Sequence, residues 1–170
     1  MRAVIDGAIE SAEQLKNTLL ALGQTTYVAN PQPVFTSTAG QHTRHILDLY
    51  RALINHQTRG VIDYDVRRRN HPVECHKHLG LEAVEELLGW LKNLDEARLG
   101  DRVQIKSEVM LSTQRACVLT STLGRELCFV ASHGIHHLAI IAAIARFFGD
   151  ELESAIGLAP ATASYQRTQV

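Results

Sequence analysis

Several things that would point to a function quickly are missing from this chain of 170 residues. Its three cysteines, Cys75, Cys117 and Cys128, are odd in number and irregular in spacing, which excludes a disulfide framework and suits reduced thiols in the cytoplasm. Charge of either sign is not in excess: 17 Lys plus Arg stand against 18 Asp plus Glu. A net charge of −1 argues against a protein that grips nucleic acid electrostatically. No secretory signal is expected, because Asp6 and Glu10 fall where its apolar core would lie. The longest apolar run, residues 138–145, is far short of the roughly 20 residues of a membrane span, so no membrane partner is expected. There is no Gly-rich phosphate loop, no GxSxG elbow, no Glu-x-x-His pair of the di-iron type, no internal repeat and no low-complexity tract.

What is present is a hydrophobic fraction of 45%, enough for a collapsed core, in a length that suits one domain over residues 1–170. Ile9, Ala12, Leu15, Leu19 and Leu22 form a helical stripe over residues 8–22, stopped at Gly23. A turn-rich connector follows, and Thr38 with Gln41 three residues on offers a capping box for a second helix to about residue 57. Residues 59–78 are polar and aperiodic and read as a long crossover loop. Helical spacing returns over residues 79–94, and two short β-like runs around Ser112-Thr113-Gln114 predict a hairpin. The last helix is expected over residues 123–148, with an extended tail from Gly157. The expected fold is therefore all-α: a four-helix bundle with a long crossover between its second and third helices and a small β-hairpin insert between its third and fourth.

The unusual entry is histidine, at nine residues. Stepping by about 100° per residue puts His133 and His137 inside the core-facing stripe of the last helix, with Val130, Ile141 and Ile144. Two imidazoles four apart on one face can converge on a metal ion. His45 shares a face of the second helix with Leu49, Ala52 and His56, so packing of the two helices would bring a third ligand. Three neutral imidazoles leave an ion its full charge and open positions, which suits acidifying a water or holding a thiolate. Spacing leaves open whether His42, His56 or Asp48 joins this set. The opposite side of the last helix, with Cys128, Ala131, Ser132, Ile135, Ala139 and Ala142, is too small and apolar for a solvated face and points to a covered surface, in part in a homodimer.

Other groupings are weaker. Cys75, His76 and His78 lie in one loop without a second ligand cluster and read as exposed side chains. Asp63-Tyr64-Asp65 followed by Arg67-Arg68-Arg69 reads either as an anion clamp at a pocket mouth or as a loop that ties itself down by Asp–Arg pairs. Chance alone yields many such pairs, and a buried histidine is more often a satisfied core group than a ligand.

Taken in order, Gly40-Gln41-His42-Thr43-Arg44-His45-Ile46-Leu47-Asp48, Asp63-Tyr64-Asp65 with its arginines, Ser132-His133-Gly134-Ile135-His136-His137, and Gly157-Leu158-Ala159-Pro160-Ala161-Thr162 with Tyr165 resemble the DinB-like superfamily, the DinB/YfiT-like metalloenzymes. The resemblance implies a four-helix bundle, commonly dimeric, with metal ligands at His45, His133 and His137 and with zinc or nickel as the ion. It implies a metal-dependent transferase or isomerase that works through a low-molecular-weight thiol on a small-molecule substrate, with no DNA binding despite the family's name. Arg44, Arg67, Arg68 and Tyr64 are then candidates to hold the thiol or substrate. A hydrolase of a small ester or amide, with Asp48 as base, is the alternative, and a non-catalytic metal- or ligand-binding stress-response module is another.

Overall fold

The computed structural model describes residues 2–169; Met1 and Val170, the ends of the expected domain and of its tail, lie outside the described residues. Helix α1 (Arg2–Ala21) starts six residues before the apolar stripe, and its buried Ile5, Ala8, Ala12, Leu15 and Leu19 extend that stripe toward the N-terminus. The connector is not wholly irregular, since residues Gln24–Val28 form a short helix, α2. Tyr27 of α2 is fully buried and donates from its hydroxyl to the Val73 carbonyl at 2.6 Å.

Helix α3 (Ala39–Arg59) begins with the expected capping box: Thr38 accepts from Gln41 N at 3.1 Å, and Gln41 Oε1 accepts from Thr38 N at 3.0 Å. It ends at Gly60, whose φ of 73° is the left-handed conformation glycine adopts without penalty. Helix α4 (Lys77–Lys92) and helix α5 (Leu123–Phe147) complete the long helices. α1 packs on α4 and α5, and α3 also packs on α4 and α5. Between them lie Leu15, Leu19, Tyr50, Leu53, Val84, Leu91, Leu127, Val130, Ile141 and Ile144, all essentially inaccessible. Each such side chain is worth roughly 1.5–3 kcal/mol of transfer free energy, so this shared seam holds the helices in place.

The expectation of an all-α bundle with one hairpin is met only in part. The chain is mostly helical, but the sheet has three strands in the order β1-β2-β3. Strand β1 (Ile62–Asp63) lies in the segment taken for a loop and runs parallel to β2 (Arg102–Glu108), which pairs antiparallel with β3 (Ala116–Thr122). Ile62 is fully buried, and Lys106 Nζ donates to Asp63 Oδ2 at 2.9 Å, so burial and an ion pair seat a strand too short to show alternation in sequence. The rest of the expected crossover is also ordered, with a 3-10 turn at Pro72–Glu74. The tail is not extended throughout, because Pro160–Arg167 forms a sixth helix, α6. Before it, Gly157 lies so close to α5 that a Cβ would stand 2.4 Å from Ala139 backbone atoms.

By length and hydropathy alone α5 resembles a membrane-crossing segment, with a mean hydropathy of 1.8 over 18 residues. Here 44% of that window is buried against the rest of the chain, and three histidines interrupt it. It is the core helix on which α1 and α3 both rest.

Candidate metal centre

The contact of α3 with α5 brings His45 opposite His133 and His137, as the two helical stripes imply. Gly134, one position after His133, is buried, and a Cβ there would stand 3.4 Å from Ser11 Oγ and 3.7 Å from Ile46, so the absence of a side chain lets α5 sit close to α1 and α3. All three histidines are half-buried, and their nitrogens form a group that could hold a metal ion. His133 Nε2 lies 3.1 Å from His45 Nε2 and 3.0 Å from His137 Nε2. Nitrogens about 2.0–2.1 Å from a common ion are separated by about 3.3 Å in tetrahedral and about 2.9 Å in octahedral coordination, so the two separations from His133 match shared ligation, and all three donor atoms lie within 4.8 Å of one another.

Electrostatics favour the same use. Burial, with the Arg67 guanidinium and the neighbouring histidines adding to it, lowers the pKa of His45 from 6.5 to about 3. Burial followed by His45, His133 and His42 lowers that of His137 to about 3. His133 is also lowered, by burial and then by His136 and Arg67. Neutral imidazole is the form that ligates a metal, so the rings are held in ligand form. Phe129, one helical turn before His133, stacks on that ring at 5.8 Å between centroids and an angle of 29°. His42 Nδ1 lies 2.9 Å from His137 Nδ1, on the side of that ring away from His133, and so orients the ligand through its second nitrogen.

Comparison with known proteins adds little to this geometry. No family model matches the chain, and no solved structure matches it. A 109-residue stretch is 29% identical to FK506-binding protein 5 of Rhizopus delemar. That stretch covers 64% of this chain, which spans only 28% of the relative's length.

The remaining candidates fall into a buried ion network, a second hydrogen-bond group and outlying positions. Asp48 is buried with both carboxylate oxygens engaged: Oδ1 accepts from Arg68 Nε at 2.6 Å, and Oδ2 accepts from Arg44 Nη1 at 3.1 Å and Arg68 N at 3.0 Å. Arg44 Nε donates in turn to Glu74 Oε1 at 2.8 Å. This network fastens residues 68–74 to α3, whereas the expected pairs within the segment do not form: Asp63 pairs with Lys106, Asp65 accepts from Glu108 N, and Arg68 turns to Asp48. Tyr64 is spent elsewhere, its hydroxyl donating to the fully buried Glu126 at 2.6 Å. Arg67 is the arginine that reaches the centre: its Nε donates to the Tyr64 carbonyl at 3.1 Å and its Nη1 lies against His45 Nδ1. His56 sits three turns further along α3, against the Leu53 carbonyl, outside the histidine group. His136 is exposed, its ring 5.2 Å from that of His137 and outside the group as well. Sequence reading missed Glu74 and Phe129. Phe129 precedes His133 by four residues and was accessible to the helical wheel, whereas nothing in linear spacing ties Glu74 to Arg44.

Proposed function

We propose that this chain is a DinB-like metalloprotein, a cytoplasmic four-helix bundle that holds zinc or nickel on His45, His133 and His137 and serves as a metal-dependent transferase acting through a low-molecular-weight thiol. The observation that carries the reading is the convergence of three histidines from two facing helices, with His133 Nε2 3.1 Å from His45 Nε2 and 3.0 Å from His137 Nε2. When bound, the ion supplies Lewis-acid chemistry, lowering the pKa of a thiol so that its sulfur is nucleophilic near neutral pH. The chain's own part is to keep three imidazoles neutral, to fix His137 through His42 and His133 through Phe129, and to leave an opening beside them. That opening is a cavity of about 460 Å³ lined by His42, His45 and His137, of a size for a small-molecule substrate. The transferase part of the reading is supported by the family resemblance. Both oxygens of Asp48 being engaged weighs against the hydrolytic alternative. A homodimer is supported by the small and exposed side of α5 at Cys128, Ser132 and Ala139.

The test is elemental analysis of untagged protein beside the His45→Ala and His137→Ala variants. About one zinc or nickel per chain, lost in both variants while helical circular dichroism is retained, is the expected result. Protein that is isolated without metal and takes up neither ion would remove the centre of the reading.

A further inference from the structure

We infer that the small molecule taken by this centre is an anion whose carboxylate is held by Arg67 and Arg69. The inference rests on the metal-centre reading above and narrows its substrate class.

The cavity beside His42, His45 and His137 is lined by three arginines, Arg44, Arg67 and Arg69, and by a single acid, Glu74. Glu74 is already spent on Arg44, and Asp48 on Arg44 and Arg68. That leaves Arg67 and Arg69, and among the described residues neither forms an ion pair with a carboxylate. Arg69 makes no hydrogen bond there either. Arg67 is positioned rather than loose, since its Nε is anchored on the Tyr64 carbonyl and its Nη1 faces His45, while its Nη2 has no partner among the described residues. The Nη1 contact with His45 Nδ1 sets the guanidinium plane and leaves Nη2 to meet an outside acceptor.

Asp48 and Asp65 act on Arg67 from a distance without pairing with it, so the cavity keeps two guanidinium groups with no carboxylate in direct contact; beside a divalent ion such a site attracts anions, and a planar carboxylate matches the guanidinium fork. Space for the rest of such a ligand is present. A second open cavity of about 900 Å³ lies between residues 63–69 and the tip of the β2–β3 hairpin; it shares Arg67 and Arg69 with the first, and its other charged residues are Lys106, Asp63, Asp65 and Glu108, which suits an uncharged remainder of the ligand. The two arginines thus stand at the junction between the histidine centre and a larger groove.

The test uses the full chain loaded with cobalt and titrates 3-mercaptopropionate against its uncharged counterpart, 3-mercaptopropanol, following the visible spectrum of the ion. The carboxylate thiol is expected to bind at least about tenfold more tightly, from charge-assisted bonds to the two guanidinium groups. In the Arg67→Gln/Arg69→Gln variant that preference should fall to near one. The Arg51→Gln variant, at an exposed arginine outside this cavity, should keep it. A second readout needs no metal: phenylglyoxal labelling mapped by peptide mass spectrometry, in which succinate should protect Arg67 and Arg69 but not Arg51. Failure to take up cobalt would sink the metal reading and leave the labelling to decide the anion site. Equal affinity for the two thiols with cobalt bound, or labelling of Arg67 and Arg69 unchanged by succinate, would overturn the inference.

Discussion

Replacing Gly40 with alanine tests the contact that sets α3 against the Pro72–Glu74 turn. In most helical positions the exchange stabilises, by about 0.5–1 kcal/mol. Gly7 of α1 and Gly89 of α4, where a Cβ would find no atom within 4 Å, are places to expect that gain. At Gly40 a Cβ would stand 2.1 Å from the Glu74 carbonyl oxygen and 2.9 Å from Tyr27 Cε1. The turn would have to withdraw by about 1 Å to restore ordinary contact. It is not free to do so, because Tyr27 holds Val73 at 2.6 Å, Arg44 holds Glu74 at 2.8 Å and Asn70 N donates to Glu74 at 3.2 Å. Overpacking against tethered backbone costs about 3 kcal/mol, which exceeds the propensity gain and reverses the sign. With a urea dependence of about 2 kcal/mol per molar, the midpoint should fall by roughly 1–1.5 M in Gly40→Ala and rise slightly in Gly7→Ala and Gly89→Ala. Equilibrium unfolding followed by far-UV circular dichroism measures all three. A Gly40→Ala midpoint at or above that of the parent chain would refute the close approach, and with it the account of how α3 is placed.

Two further outcomes follow from buried groups. Glu126 is fully buried and accepts from Tyr64 at 2.6 Å, Ser121 at 2.6 Å and Arg125 at 2.9 Å. Glu126→Ala leaves the buried Tyr64 hydroxyl without an acceptor and opens a void, and should cost about 3 kcal/mol in the same urea assay; a loss under about 1 kcal/mol would show the network to be dispensable. The second concerns pH. His45 and His137 titrate near 3 in the folded chain and near 6.5 once unfolded, so between those values the unfolded state binds more protons. Stability of the metal-free protein should therefore be complete above about pH 6.5 and decline as the pH falls through that window. A His45→Asn/His137→Asn variant should flatten the decline between about pH 7 and pH 5, and an unchanged slope would contradict the burial of these rings.

The readable parts of this protein were those with a period. The stripes of α1, α3, α4 and α5 repeat every three to four residues, and the same geometry places His133 and His137 on one face and directs His45 toward them. The Thr38–Gln41 capping box was equally local and is present with both of its bonds. The unread parts depend on contacts between distant residues. β1 is two residues long, too short for alternation, and exists because Ile105 and Lys106 lie alongside it. Residues 59–78 looked aperiodic because they are organised by ion pairs to α3, 20 residues away at Arg68–Asp48 and 30 at Glu74–Arg44, and such pairing leaves no mark on local spacing. The division of labour among the arginines was hidden for the same reason, since only the fold shows which of them Asp48 and Glu74 neutralise.

The position of β3 at the border of the sheet bears on how the protein fails. Its residues, Ala116 to Thr122, carry no charge and no proline, Val118 and Leu119 are 60% and 58% exposed, and β2 occupies only one of its two edges. Natural sheets usually guard such a border with lysine, proline or a bulge, because an unguarded one is a template for strands from other molecules. Once heating opens the fold, this uncharged, β-branched segment is free to pair with like strands from neighbouring chains. Thermal unfolding of this protein should therefore end in intermolecular β-aggregates, with an apparent midpoint that moves with scan rate and concentration.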